Sequence, residues 1–272
     1  MRLIAAGGVR LEVSDRGAGE PVLLVQTALI ADELRPLGDR LLQRSAYRAV
    51  LFHRRGYAAS DPAPGPGSIR RDASDCRALL TALGVDRVHL VGLSYGAAVA
   101  LQLAADSPAH VQTLALLEPP PAHVPSGPEF RAANERLIVT RRGRGVAATL
   151  EEFLTLIIGP DWRSVAERAL PGSAQQMQRD ALTFLDTDLP ALLTWQFTAA
   201  DAQKITCPVL YVGGTNSGPW FAQVHRLMLT WFPHAEDVII PGADHNLALT
   251  HPDEIAAALA KFLANHPIAR SG

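Results

Sequence analysis

Residues 88–96 read Val-His-Leu-Val-Gly-Leu-Ser-Tyr-Gly, an apolar run ending in glycine, serine and glycine at 92, 94 and 96, and small residues Ala97-Ala98-Val99-Ala100 follow. This order predicts a buried strand, a sharp turn and a helix, the setting in which G-x-S-x-G lifts a serine hydroxyl clear of a sheet as a nucleophile. The glycines are needed because side chains two residues to either side would collide, while the serine itself sits in strained backbone. Since the predicted helix begins at Ser94, its positive end and the Tyr95 N–H are placed to stabilise an oxyanion.

A serine nucleophile needs a base. His245 lies in Pro241-Gly242-Ala243-Asp244-His245-Asn246, between a predicted strand over 235–240 and a predicted helix over 252–264. That puts it at the carboxyl end of the last strand, the edge where open α/β sheets bind ligands. A neutral imidazole there can take the Ser94 proton and return it to a leaving group. The nearest rival, His251, belongs to a Thr250-His251-Pro252 turn that starts the final helix. The other histidines, His53, His89, His110, His123, His225, His234 and His266, read as surface, insertion or packing residues.

The elements that must hold these groups follow from periodicity. β-branched and Leu-rich runs bounded by turn residues predict strands over 22–26, 49–53, 87–93, 111–117, 209–212 and 235–240. Helical patterns over 34–44, 68–83, 95–106, 220–231 and 252–264 alternate with them. Such alternation predicts an α/β fold with a doubly wound, mainly parallel sheet. Residues 2–6 and 10–15, around Gly7-Gly8, read as an antiparallel hairpin on the sheet edge.

The alternation breaks over residues 119–206, too long for a plain connection. Val146, Leu150, Phe153, Leu154, Ile157 and Ile158 recur there at helical spacing, and 162–170, 174–186 and 189–197 are further predicted helices. The expected organisation is a core domain of residues 1–118 and 207–272 with a helical cap, 119–206, inserted into it. Pro119-Pro120-Pro121 and Pro208 punctuate its borders.

Composition narrows the function classes. The chain has 272 residues, 48% of them hydrophobic, and a net charge of −2 from 25 basic and 27 acidic residues without runs. It can bury one large core, and its charge favours neither nucleic acid nor an anionic membrane, so a small molecule is the expected partner. Cys76 and Cys207 form no CxxC or Cys/His cluster, which predicts no metal site and fits a reducing, cytoplasmic setting. The N-terminal residues do not read as a signal peptide, and no apolar run is long enough to span a bilayer.

With the elbow, the insertion and the histidine loop in this order, residues 21–264 resemble the α/β-hydrolase superfamily. The resemblance implies that fold, no metal or organic cofactor, and a carboxylate to orient His245. In that family the acid usually follows the strand after the cap in a G-x-x-D pattern, but here Gly213-Gly214-Thr215-Asn216-Ser217 puts Ser217 at the aspartate position. In some members, certain haloalkane dehalogenases among them, a glutamate directly after the strand following the elbow helix serves instead. Leu116-Leu117-Glu118-Pro119 matches that arrangement, so the resemblance implies Glu118 as the acid, hydrogen-bonded to His245 Nδ1–H. Asn216 is the alternative orienter. Asp244 is too local to His245, and Asp237 falls at the wrong end of its strand.

Family members commonly carry His-Gly after the first parallel strand, with the next residue donating the second oxyanion N–H. Gln26-Thr27-Ala28 stands there, which makes Ala28 the donor beside Tyr95 and implies that a loop without that glycine is built differently or makes a poor oxyanion hole. The segment His53-Arg54-Arg55-Gly56-Tyr57-Ala58-Ala59-Ser60 resembles the family's D-x-R-G-x-G-x-S, with Arg55 expected to bond loop carbonyls. Thr27 and Leu29 near the donor, and Phe153 and Trp195 in the insertion, are candidate substrate contacts. The expected reaction is hydrolysis of an ester, thioester or lactone of a moderately hydrophobic molecule through an acyl-enzyme on Ser94. Two alternatives stay open: cyclase, lyase or carbon–carbon cleavage chemistry in the same pocket, and a non-catalytic ligand-binding protein on the same fold.

Overall fold

The computed structural model describes residues 1–157 and 159–269. Eight strands form one sheet in the order β1-β2-β4-β3-β5-β6-β7-β8. They are β1 (Arg2–Ala6), β2 (Val9–Gly17), β3 (Glu20–Val25), β4 (Tyr47–His53), β5 (Val88–Leu93), β6 (Val111–Leu117), β7 (Val209–Gly214) and β8 (Glu236–Ile240). The β1–β2 hairpin and the β2–β4 pairing are antiparallel, and every other pairing is parallel. The β3-β5-β6-β7 centre has helices on both faces, which is why its strands are mostly apolar rather than alternating; every residue of β5 is buried.

On one face α2 (Ile69–Ala82), α3 (Tyr95–Asp106) and α9 (Pro219–Trp231) bury their apolar sides with the strands. On the other, α1 (Arg35–Arg44), the short α10 (Leu247–Thr250) and α11 (Pro252–Asn265) close a second core. Helix α3 packs close to the sheet because it is built largely of alanine, and all but its last residue are buried.

Between β6 and β7 the chain forms α4 (Gly127–Ile157), α5 (Trp162–Ala169), α6 (Ser173–Thr183), a π-turn (Phe184–Asp188), α7 (Leu189–Thr194) and α8 (Ala199–Ala202). These helices have their own core of Leu137, Leu150, Trp162, Met177 and Phe184, which Leu29, Ile30 and Leu249 of the sheet-bearing part enter. The helical stripe expected from Val146 begins directly after Gly145, whose φ of 83° and ψ of 175° break α4, and the first half of α4, from Gly127, is a helix that the sequence did not single out. One expectation is corrected here. The helix expected over 174–186 stops at Thr183, and the next residues widen into the π-turn. Ile158, expected on the same apolar stripe, lies outside the described residues.

Candidate active site

The turn at 92–96 is as tight as its glycines imply. A Cβ on Gly92 would stand 2.4 Å from the Gly96 carbonyl oxygen, and one on Gly96 would stand 2.2 Å from that of Val25. Ser94 takes φ 51°, a left-handed conformation that non-glycine residues rarely adopt. Its N–H donates to the Leu117 carbonyl at 3.0 Å, tying the turn to the end of β6.

Register does the rest. Leu93 pairs with Leu117 and Leu117 with Val212, so β5 and β6 end level with one another and β7 runs two residues further, to Gly214. Glu118, the first residue past β6, also has a left-handed backbone, φ 43°, and its N–H donates to Val212 O at 3.2 Å. The carboxylate is 1% exposed, a burial that would be costly without donors. It has two: Gly214 N–H donates to Oε1 at 2.9 Å, and His245 Nδ1 lies 2.7 Å from Oε2.

His245 reaches this point on the loop after β8, and its Nε2 lies 3.1 Å from Ser94 Oγ. Phe221 of α9 stacks on the ring at 4.0 Å between centroids and 21° between planes, closing one face of the imidazole. The loop itself is pinned by Asn216, whose N–H donates to Ala243 O at 2.8 Å and whose Nδ2 donates to Gly242 O at 3.2 Å. Asn216 therefore holds the backbone of the histidine loop and does not bond the imidazole, contrary to its reading as an alternative orienter. Asp237 is engaged by His225, and Asp244 accepts from the Asn246 N–H.

Thr27, Ala28, Ser94, Tyr95 and His245 line one cavity, roofed from the insertion by Phe130, Phe153, Leu154, Phe184, Leu189 and Leu192. As the first residue of α3, Tyr95 has no intrahelical acceptor for its N–H. Thr27 keeps a negative φ, so its backbone does not demand the missing glycine; the left-handed residue of this loop is Leu29, at φ 64°. Leu29 is fixed from both sides, its N–H donating to Tyr57 Oη at 2.9 Å and its carbonyl accepting from Gln176 Nε2 at 3.0 Å. Two expected substrate contacts are thereby corrected. The Leu29 side chain belongs to the core of the insertion and is absent from the cavity wall. Trp195 is also absent from it, because its indole packs with Phe197 and donates to Gln102 Oε1 at 3.1 Å in the core beneath.

Sequence reasoning missed a buried ionic cluster behind the loop. Arg54 donates to Asp72 (2.9 Å), to both carboxylate oxygens of Asp188 (2.9 and 2.7 Å) and to the Thr27 carbonyl (3.1 Å). Burial opposes its charge, but Asp188 and Asp72 outweigh that and hold the guanidinium well above its ordinary pKa. Tyr57 and Tyr95 add O–H donors to Asp188 and Asp72 respectively. The expected carbonyl-bonding role of Arg55 belongs to Arg54; Arg55 forms a two-point ion pair with Asp75 nearer the surface. Glu33, another cavity-lining residue that the sequence did not single out, has a carboxyl that burial pushes up to about 8.

Comparison with known proteins agrees with this architecture. The profile of the Alpha/beta hydrolase family matches residues 28–258. A Klebsiella pneumoniae protein provisionally named carbamate hydrolase RutD is 28% identical over 93% of this chain and 95% of its own length. Among solved structures, a thermophilic esterase from Thermogutta terrifontis superposes with a TM-score of 0.82 at 22% identity, covering 98% of this chain and 99% of that one. The enol-lactonase of Burkholderia xenovorans LB400 gives 0.79 at 22% identity, over 97% and 100% of the two chains. With a profile match over most of its length and a mainly parallel sheet carrying the strand–turn–helix elbow, the chain belongs to the alpha/beta hydrolase family and is an enzyme of the hydrolase class.

Proposed function

We propose that this enzyme hydrolyses an ester, thioester or lactone of a small, moderately hydrophobic molecule through an acyl-enzyme on Ser94. The observation that carries the reading is the continuous chain from Ser94 Oγ to His245 Nε2 (3.1 Å) and from His245 Nδ1 to Glu118 Oε2 (2.7 Å). In this reading His245 takes the Oγ proton as the oxygen attacks the substrate carbonyl. Glu118 accepts the Nδ1–H, fixing the tautomer that leaves Nε2 free as a base and stabilising the imidazolium that forms. The oxyanion sits against the N–H groups of Tyr95 and Ala28, with the positive end of α3 behind it. His245 then protonates the leaving group, and a water activated by the same nitrogen releases the acid.

Residues 119–206 act in this proposal as a cap over the cavity, supported by the insertion residues that roof it. The rings of Phe153 and Phe184, 4.4 Å apart, favour an apolar acyl or alcohol portion. The reading needs no metal or organic cofactor for any step. No described helix is long and apolar enough to cross a membrane. A cytoplasmic setting is proposed on the two separate thiols, Cys76 and Cys207.

The test is the intact mass after exposure to a fluorophosphonate, for the natural chain and for Ser94→Ala. One adduct that disappears in the variant is the expected result. A folded protein that takes no adduct would move the assignment to cyclase, lyase or binding roles for the same pocket.

A further inference from the structure

Glu33 stands apart from every other acid near the site. It lies on the loop between β3 and α1, is 6% exposed, and lines the same cavity as Ser94 and His245. Among the described residues no donor or cation accompanies its carboxyl; burial alone sets its protonation. A carboxyl group held this way is costly to the fold, because buried polar groups are ordinarily hydrogen-bonded. The residue is part of the wall of the space a ligand would fill.

The rest of the wall fixes the sign of the ligand. No lysine or arginine is among the described residues that line the cavity, so beyond the oxyanion donors at Ser94 no cationic side chain there would pair an anionic substituent. Phe130, Phe153, Phe184 and Phe221 line it instead, and aromatic faces attract a desolvated cation. A cavity whose wall carries one buried carboxyl group and several aromatic rings suits a protonated amine better than a carboxylate or a bare alkyl chain.

We propose that Glu33 anchors a positively charged substituent, so that the acyl compound this pocket takes carries a protonated amine a short chain away from its carbonyl. The inference deepens the acyl-transfer reading and rests on it for the word acyl; the amine anchor itself depends only on the cavity. On binding, the Glu33 carboxyl gives its proton to solvent and the carboxylate pairs with the ammonium group, with no covalent change.

The experiment uses two esters that differ by one atom: 2-(dimethylamino)ethyl acetate and its carbon isostere, 3-methylbutyl acetate. Their dissociation constants are measured calorimetrically at neutral pH on Ser94→Ala, which cannot turn them over, and on the same protein with Glu33→Gln added. The amine ester is expected to bind roughly 10- to 100-fold more tightly than the isostere, as a charge-assisted hydrogen bond provides. Glu33→Gln is expected to bring that ratio close to one. The heat measured in buffers of different ionisation enthalpy supplies a second readout with Glu33 intact: about one proton released per amine ester bound. Equal binding of the two esters, a preference that survives Glu33→Gln, or binding without proton release would each overturn the assignment. Labelling of Ser94 and amine preference fail separately: preference without labelling keeps the anchor and removes acyl transfer, while labelling without preference removes the anchor alone.

Discussion

Two glutamates face the same chemistry from opposite sides of the sheet's edge, and they are provisioned in opposite ways. Glu118, after β6, is 1% exposed and meets a backbone N–H and an imidazole; Glu33, after β3, is 6% exposed and meets neither. The residue type and the depth are nearly the same, so the difference lies in donors. A buried acid whose acceptors are all engaged orients something, and one left without partners stores an unmet demand that a ligand can answer.

That contrast can be broken most visibly at Glu118. Replacing it by glutamine keeps the shape but offers the imidazole an amide that can hold the wrong tautomer, and kcat for a simple ester is expected to fall by about 10³- to 10⁴-fold. The same measurement on Asn216→Ala should show little change, because the Asn216 side chain bonds Gly242 O and the Thr215 hydroxyl rather than the imidazole, and alanine keeps the backbone bond to Ala243. Comparable losses in the two variants would show that Glu118 is not the orienting acid.

A smaller effect, on stability, is expected from the ionic cluster. Arg54→Met leaves Asp72 and Asp188 buried beside each other without their cation, and breaking such a pair costs about 3 to 5 kcal/mol. Urea unfolding at neutral pH would read it; a loss under 1 kcal/mol would mean that water or rearrangement replaces the guanidinium.

Glu33→Gln should act in the other direction and only as pH rises. The natural carboxyl titrates near 4.5 when unfolded and near 8 when folded. Between those values the folded chain holds a proton that the unfolded chain has lost, so stability falls with increasing pH by about 1.4 kcal/mol per unit. Below the lower value the term vanishes, and above the upper it is constant. Glutamine lacks the term, so the variant is expected to match the natural chain at pH 4 and to exceed it by a few kcal/mol at pH 8 in chemical denaturation. A stability difference that does not vary with pH would remove the case for an unpartnered acid.

Much of the fold was legible because local and long-range signals agreed. Helix α3 and strand β6 have the bounds that their patterns predict, Tyr95–Asp106 and Val111–Leu117, since each is a mostly apolar run bounded by polar or turn residues. Glu118 could be singled out only through family resemblance, as nothing in Leu-Leu-Glu-Pro tells a buried acid from a solvated one. The Arg54 cluster was illegible for a related reason. Arg54 and Arg55 are adjacent and alike, and burial is decided by Asp188, 134 positions away. Glu33, in Ala-Asp-Glu-Leu before a helix, has the look of an ordinary solvated first turn. The first half of α4 escaped because the run Arg-Arg-Gly-Arg-Gly at 141–145 interrupts the apolar stripe that marks its second half.

The Arg54 cluster also bears on how such an enzyme can be re-engineered. Asp72 and Tyr95 belong to the sheet-bearing part, the Thr27 carbonyl to the loop beside Ala28, and Asp188 to the helical insertion. Transplanting a foreign insertion onto this core to change its substrate range would withdraw Asp188, and with it two of the buried guanidinium's hydrogen bonds and the acceptor of the Tyr57 hydroxyl. A graft must therefore bring its own acid to that point, or the damage will surface as a slack Thr27–Ala28 loop on the opposite wall of the same cavity.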